Sequence, residues 1–515
     1  MAGHQDIRAD QGARQWRLSR TCSLQQRRGW HGPGKASLSE DRSAAGRSRS
    51  LVRGLSLVPA AAIIVTNVIG TGVFVKARVM TCNVGTPWMV LLAYLVAGVF
   101  TLAGALTFAE LSAMMPRAGG QYNFIGAAFG RVWAFLYGWM ETLLDGAASM
   151  AAVAIVFILF LNDLLGGSLS SAQIQLLTAG TIMAVTLLTL ASMRTNGLLA
   201  TIITTMKVLL VAGIGLAAFV FGDGSWAHFG ASGANGACEG VPAGARLGAT
   251  GFGAAVIGAL WSYNGWADVS FIAEEVRDPG RTLPRALVGG SVLIIGLYLL
   301  VNAGYFYALS PEAVANVSEA SSVAGAVLVR MLGAGGASLL TIGLMLSTFG
   351  ALHSTCLAVA RVPFAMARDG LLPHTFATVS PRARVPAHAI VLLGACAVGF
   401  AFSGTFDVLT DLIVFMLLLF NGLGVASIYV LRHTLPDAAR PFRVCGYPVV
   451  PAVFLVATAY LMINTFLATP LRVLAGVGIV ALGLPLYAWY ARRLPPGRPE
   501  DWLVGGPVGA PHDEA

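Results

Sequence analysis

Residues 55–76 form an apolar stretch long enough to cross a lipid bilayer, which takes about 20 residues as a helix. Its middle reads Gly70-Thr71-Gly72, and Asn67 lies one turn earlier. Two glycines around a small hydroxyl weaken a helix where water is scarcest, and the backbone groups freed by a break must line a cavity or a ligand. The second half of a broken helix presents N-terminal amides that suit an anion such as a carboxylate. The stretch therefore predicts a ligand site near the centre of a membrane span.

The composition indicates that most of the chain is embedded in a membrane. Of its 515 residues, 56% are hydrophobic and 11% are charged, whereas soluble proteins carry roughly 25% charged residues. The net charge of +9 does not indicate nucleic-acid binding, because the arginines lie mainly in the N-terminal tail and in alternate short loops. The cysteines show no paired spacing, so we expect neither a metal site nor a disulfide framework. They are Cys22, Cys82, Cys238, Cys356, Cys396 and Cys445.

Apolar segments of about 20 residues recur along the chain and predict an all-α, polytopic membrane protein with twelve transmembrane helices. The predicted spans are 55–76, 87–115, 132–161, 172–191, 197–221, 250–275, 285–309, 335–367, 388–403, 407–431, 447–467 and 471–491. Most arginines between the spans fall on one side, which we take as cytoplasmic, with both termini on that side.

The spans divide the chain into six parts. We predict a disordered basic cytoplasmic tail at 1–50, helices 1–5 at 51–221, an extracytoplasmic loop at 222–249, helices 6–10 at 250–432, helices 11–12 at 433–492 and a cytoplasmic tail at 493–515. The first tail has no apolar core, so it is not a secretory signal.

A second break lies in the sixth span, where Asn264-Gly265 interrupts an apolar run and Asp268 follows. The first and sixth spans correspond if helices 1–5 and 6–10 are two copies of one unit, and an odd number of spans per copy inverts the second copy. Paired interruptions at corresponding positions mark a binding site at the membrane midplane. The alternative is that glycine-rich helices merely pack closely.

Five motifs follow in order along residues 51–492: VIGTGVF (68–74), AELSAMMPRAGGQY (109–122), SYNGW with AEEVRDPGRTLPRA (262–286), ARVPFAMARDGLLP (360–373) and PFRVCGYPVVP (441–451). Together they resemble the signatures of the amino acid–polyamine–organocation superfamily, especially its L-type and bacterial amino acid permeases. The resemblance implies a five-plus-five inverted repeat with discontinuous helices 1 and 6, two trailing helices and amino acid substrates.

Two features depart from the superfamily pattern. Many relatives have glycine where Asn67 stands, so the cavity beside the first break has a different shape. Animal L-type transporters carry an outside cysteine after the third helix that joins a heavy chain. The corresponding loop, 162–171, has none, so we expect no disulfide-linked heavy chain.

An α-amino acid needs amides at its carboxylate and oxygen acceptors at its ammonium. We predict that Gly70, Thr71 and Gly72 face the carboxylate, and that freed carbonyls face the ammonium. The candidate carbonyls belong to Val65, Ile69, Leu260, Trp261 and Tyr263. The side-chain pocket is predicted near Trp261, Asn264 and Trp266. For these aromatic residues, packing or an interfacial belt is the alternative.

Lys207 lies inside the fifth span, and a charged group at this depth marks a functional site. The resemblance implies that its ammonium occupies the space where sodium-coupled relatives bind an ion between helices 1 and 8. The alternative is a lysine that extends to the lipid headgroups.

Other ionisable residues are candidates for selectivity or proton relay. Glu141 and Asp145 are four residues apart in the third span, hence on one helical face. His353 in the eighth span titrates near neutral pH, or is simply hydrogen-bonded. At cytoplasmic helix ends, Glu110, Glu274, Glu275, Arg281 and Arg361 are candidates for gate or scaffold ion pairs.

These patterns predict a sodium-independent secondary transporter that moves an amino acid, neutral rather than charged, across the plasma membrane by proton symport or exchange. The alternatives are a cationic amino acid or polyamine exchanger, suggested by Glu141, Asp145 and Asp268, and a membrane nutrient sensor. An intramembrane serine protease is disfavoured because His353 and Ser354 are adjacent and point apart. We expect no enzyme activity, metal, cofactor or nucleic-acid partner; the expected partners are the substrate, protons and the lipid bilayer.

Overall fold

The computed structural model describes residues 51–503 except 234, 319–321, 404–405, 493 and 495–497, and for residues 334, 406–414 and 468 it describes the backbone only. The predicted tail at 1–50 lies outside the described residues. Within them the chain is all-α, and an isolated parallel bridge between Leu55 and Val276 is the one recorded β contact.

The first half of the chain forms nine helices, separated by short turns and one long loop. They are α1 (Leu57–Val68), α2 (Gly72–Val84), α3 (Pro87–Met114), α4 (Gln121–Phe129), α5 (Arg131–Trp139), α6 (Ala147–Leu164), α7 (Ser171–Thr189), α8 (Met193–Phe221) and α9 (Gly248–Ser262). A π-helical segment, Met140–Gly146, joins α5 to α6, and a 3₁₀ segment, Asp268–Glu275, follows α9.

The second half forms ten helices. They are α10 (Pro279–Ala308), α11 (Pro311–Ala315), α12 (Val323–Leu332), α13 (Ala334–Val359), α14 (Arg361–Arg368), α15 (Ala387–Ser403), α16 (Phe406–Thr434), α17 (Val449–Ala468), α18 (Pro470–Ala481) and α19 (Gly483–Ala491).

Length and apolarity support most of the predicted spans. Among the described residues, nine helical stretches are long and apolar enough to cross a membrane, and the bent pair α1–α2 makes a tenth. The predicted sixth and ninth spans contain the shorter apolar helices α9 and α15. The polytopic all-α fold is therefore confirmed, whereas the count of twelve and the inverted repeat stay predictions.

The helices pack in two groups, and the first span belongs to one of them and contacts the other. Helices α1, α2, α3, α9 and α10 pack on one another and represent predicted spans one, two, six and seven. Helices α6, α7, α13 and α15 form the other group, from predicted spans three, four, eight and nine. Helix α8 packs against both α1 and α10, which places the fifth span directly beside the first break.

A disulfide joins Cys82, at the end of α2, to Cys238 in the long loop before α9. The expectation that the cysteines form no disulfide is therefore wrong. The two residues are 156 positions apart in sequence, and their proximity depends on how the loop folds over α2. In that fold the amide of Leu247 donates to the Asn83 carbonyl and the amide of Gly233 to the Gly85 carbonyl. The pair lies on the predicted extracytoplasmic side, where disulfides persist.

Ion pairs join the helix ends on the side opposite the disulfide. Four of the five residues predicted for such pairs take part. The pairs are Arg117–Asp369 (3.0 Å), Arg361–Glu275 (2.8 Å), Arg368–Glu274 (2.9 Å), Arg432–Glu110 (2.6 Å) and Arg440–Glu110 (3.4 Å). They link the sixth span to the eighth and the second span to the tenth.

Part of the predicted C-terminal tail packs on the same side of the protein as these ion pairs. Residues Pro499–Trp502 form a short 3₁₀ turn, and the Trp502 side chain is only 2% exposed. Its ring lies 5.4 Å from the ring of Tyr122 and covers Gly126, where any side chain would collide with the indole. The glycine thus makes room for the tryptophan.

Two adjacent glutamates provide a matched test of these ion pairs. The Arg361–Glu275 pair is fully buried, whereas the Arg368–Glu274 pair is partly exposed. We expect Glu275→Gln to lower the free energy of unfolding by about 3–5 kcal/mol, because it leaves the Arg361 guanidinium buried without its anion. Glu274→Gln should cost about 0–1 kcal/mol. Denaturation in detergent micelles measures both, and equal effects would contradict the assignment.

Candidate functional site

The first span breaks between Val68 and Gly72, and its two halves meet at a bend of 44°. The Ile69 amide still donates to the Val65 carbonyl, but the Gly70 amide turns back to the carbonyl of Val68. A continuous helix would send that amide to Thr66. The break therefore leaves the carbonyls at the end of α1 and the amides at the start of α2 without helical partners.

The two glycines at the break have different surroundings. A side chain at Gly70 would meet no atom within 4 Å, so open space adjoins this residue. At Gly72 it would lie 2.7 Å from the Ser262 hydroxyl, because α2 and α9 are in close contact there. Thr71 makes no side-chain cap on α2. The open side of the break is thus at Gly70 and Thr71, and Gly72 is a packing contact as well as a source of an amide.

The sixth span breaks directly beside the first. Helix α9 ends at Ser262, and Gly265 adopts a left-handed φ of +95° that suits glycine. A side chain at Gly265 would lie 3.0–3.2 Å from atoms of Asn67. The two interruptions predicted from the sequence therefore touch each other, at Gly72 against Ser262 and at Gly265 against Asn67.

Asn67 has a partner that sequence reasoning missed. Its side-chain amide donates to the Asp268 carboxylate at 2.6 Å, although the two residues are 201 positions apart. The contact holds an acidic group of the sixth span against the end of α1. The sequence contains a signal for this contact, since both residues are polar and both lie within one turn of a predicted break.

Lys207 reaches the break from α8 and is completely buried. Its ammonium donates to the carbonyls of Thr66 (2.7 Å) and Ile69 (2.9 Å). Burial of the whole side chain is incompatible with extension to the headgroups. The ammonium instead satisfies two carbonyls that the break frees, at the negative end of the α1 dipole.

The Ile69 carbonyl is unavailable to a substrate ammonium in this conformation. Besides Lys207, it accepts a hydrogen bond from the Ser347 hydroxyl at 3.0 Å, which uses both of its lone pairs. Ser347 lies on α13 and is a second residue that sequence reasoning missed. The break is thus held jointly by the fifth and eighth spans.

Glu141 and Asp145 lie in the π-helical segment of the third span, a form of helix often found at functional sites. Asp145 accepts a hydrogen bond from Ser149 at 3.3 Å, and the Tyr137 hydroxyl lies beside Glu141. Asp268 is close enough for its charge to act on both carboxylates. Within the described part of the chain, none of the three forms an ion pair with a basic residue.

The aromatic residues predicted to form one pocket lie in different environments. The Trp261 ring is half exposed and lies beneath the Lys76 ammonium, 4.7 Å away. Trp266 is buried between Phe108 and Phe454. The Tyr263 hydroxyl donates to the Tyr94 carbonyl at 3.2 Å. Asn264 is exposed.

His353 lies away from the break. Its Nε2 is 2.9 Å from the side-chain oxygen of Asn196, and the whole ring is buried. Among the described residues, no group of three or more His, Cys, Asp or Glu side chains could hold a metal ion.

Comparison with known proteins agrees with this architecture. Residues 55–485 match the family model described as amino acid permease. The serine/threonine exchanger SteT of Bacillus subtilis is 27% identical over 448 residues, which cover 86% of this chain and 98% of the relative. The human cystine/glutamate transporter is 28% identical over 85% of each chain. The human large neutral amino acids transporter small subunit 2 is 27% identical over 88% of this chain and 84% of its own. The chain therefore belongs to the amino acid permease family, within the amino acid–polyamine–organocation superfamily, and is a multi-pass membrane protein.

Proposed function

We propose that this permease moves a neutral amino acid across the plasma membrane by exchange or proton symport, without sodium, with both termini in the cytoplasm. The proposal rests on the geometry of the breaks: the two broken helices touch, and the Lys207 ammonium binds the free carbonyls at the C-terminal end of α1. The relatives named as a serine/threonine exchanger and a large neutral amino acid transporter support the substrate class.

The N-terminus of α2, where the helix dipole is positive, is the proposed carboxylate site. The amides at Thr71 and Gly72 have no helical acceptors, the first turn of α2 carries no acidic residue, and open space adjoins Gly70. A carboxylate placed there accepts hydrogen bonds from the amides at Thr71 and Gly72 and also interacts with the dipole of α2. The substrate ammonium then faces the Asp268 side of the two breaks.

Lys207 acts in this proposal as a fixed cation. Its ammonium occupies the end of α1 that would otherwise attract a mobile cation, so transport has no need of sodium. The lysine also stabilises the conformation in which the amides at the start of α2 remain available to a ligand.

We expect purified protein in liposomes to take up a labelled neutral amino acid, and competition by serine, leucine, glutamate, lysine and putrescine to rank the neutral compounds first. Replacing external sodium with choline should leave the rate unchanged. Stimulation by internal amino acid indicates exchange, and stimulation by an inward proton gradient indicates symport. A requirement for sodium, or competition by putrescine alone, would contradict the proposal.

Lys207→Met keeps the length of the side chain but removes both charge-assisted hydrogen bonds. We expect transport to fall by more than about tenfold, because each such bond contributes about 1.5–3 kcal/mol. Lys76→Met is the matched control, since the Lys76 ammonium lies over the face of Trp261 and forms no hydrogen bond or ion pair with the described residues, and a cation–π contact contributes about 0.5–2 kcal/mol. Initial uptake rates, with thermal stability measured in parallel, compare the two. Unchanged transport and pH dependence in Lys207→Met would exclude the assigned role.

A cationic amino acid is the second candidate substrate, favoured by three carboxylates without basic partners near the breaks. Asp268 follows α9 of one packed group, and Glu141 and Asp145 directly precede α6 of the other, close enough for their charges to interact. A side-chain ammonium or guanidinium placed among them would relieve the repulsion of their charges.

Asp268→Asn distinguishes the two candidates. If the substrate is cationic, competition by lysine and arginine should weaken about tenfold or more, because a hydrogen bond to a charged group is lost. If the substrate is neutral, the order of the competitors should not change. Asp163→Asn removes the same charge at an exposed position outside the site and serves as the control.

A further inference from the structure

The hydroxyl of Tyr298 on α10 contacts both broken helices at once. It lies 3.0 Å from the Val68 carbonyl and 2.9 Å from the Ser262 carbonyl. These residues are the last of α1 and the last of α9. Both carbonyls therefore belong to groups that the breaks deprive of helical partners. We infer that Tyr298 is a positioning residue whose hydroxyl couples the two breaks.

The ring of Tyr298 is held firmly enough to make this coupling specific. The side chain is completely buried. Its ring packs edge-on against Tyr94 of α3, with centroids 5.9 Å apart, and at 5.0 Å against Tyr263 of the second break. The hydroxyl is thus fixed relative to α3 and α10 while it donates to the carbonyls of α1 and α9.

The geometry implies that the two breaks move together. The Tyr298 hydroxyl has one proton to share between two carbonyls, so both hydrogen bonds depend on the relative position of α1 and α9. A shift of one half-helix away from the hydroxyl gives the proton to the other carbonyl, and the first carbonyl loses this hydrogen bond in a dry environment. Tyr298 therefore favours conformations in which the ends of both half-helices stay together, before any substrate arrives.

Tyr305 offers a matched control on the same helix. It lies seven residues later, two turns along the same face, and its ring is equally buried. Its hydroxyl has no hydrogen-bond partner in the described structure. Tyr298→Phe and Tyr305→Phe thus delete the same atom from two buried tyrosines. Only the first deletion removes hydrogen bonds to the carbonyls of the broken helices.

Hydrogen–deuterium exchange of the full-length protein in detergent micelles tests the coupling without any substrate. We expect Tyr298→Phe to speed exchange about 3- to 20-fold in peptides that cover residues 62–74 and 258–268 together, the range typical of hydrogen bonds between membrane helices. Tyr305→Phe should leave both peptides at the wild-type rate. Faster exchange at one break only, at neither break, or equally in both variants would overturn the inference.

A transport assay tests the consequence for binding and rests on the proposed function. Loss of a preorganising hydrogen bond weakens binding, so the KM of the transported amino acid should rise about 3- to 20-fold in Tyr298→Phe while kcat stays near wild type. Tyr305→Phe should change neither. If the wild-type protein moves no amino acid, the proposed function fails, whereas the exchange measurement still decides the role of Tyr298. If transport is active and the two variants have the same KM, the positioning role fails.

Discussion

The structure depends on one constraint: a helix that breaks inside a membrane must find new partners for the carbonyls it frees. At the end of α1 these partners are side chains from three other spans. Lys207 donates to Thr66 and Ile69, Ser347 donates to Ile69, and Tyr298 donates to Val68. Each comes from a different helix, α8, α13 or α10. The break is therefore a junction at which the two packed groups of helices and the fifth span meet.

Further contacts hold the broken spans on each side of this junction. On the predicted extracytoplasmic side, the disulfide from Cys82 holds the long loop against α2. At the opposite ends of the helices, the buried Arg361–Glu275 pair joins the sixth span to the eighth. A helix that is interrupted at its centre has lost the rigidity of a continuous backbone ladder. The disulfide holds the second half of the first span, and the ion pair holds the end of the sixth span, so each broken span has a contact away from its break.

The sequence predicts the positions of both breaks because the signals are local. Glycine in an apolar run weakens a helix wherever the run folds, and a lysine such as Lys207 in such a run is conspicuous. The partners of the breaks were not predictable in the same way. Tyr298 and Ser347 are ordinary residues for a membrane helix, and only packing brings their hydroxyls to the freed carbonyls. Asn67 and Asp268, like Cys82 and Cys238, meet across more than 150 residues of chain.

The two ends of the first break differ in charge, and this difference argues for a zwitterionic substrate. The negative end of α1 already holds the Lys207 ammonium. The positive end of α2 has neither an acidic residue in its first turn nor a side-chain cap, so its preference for an anion is unmet. Asp268, held by Asn67, supplies an acceptor beside the same break. A carboxylate and an ammonium on one small molecule satisfy both needs, whereas a polyamine would leave the amides of α2 without an anion.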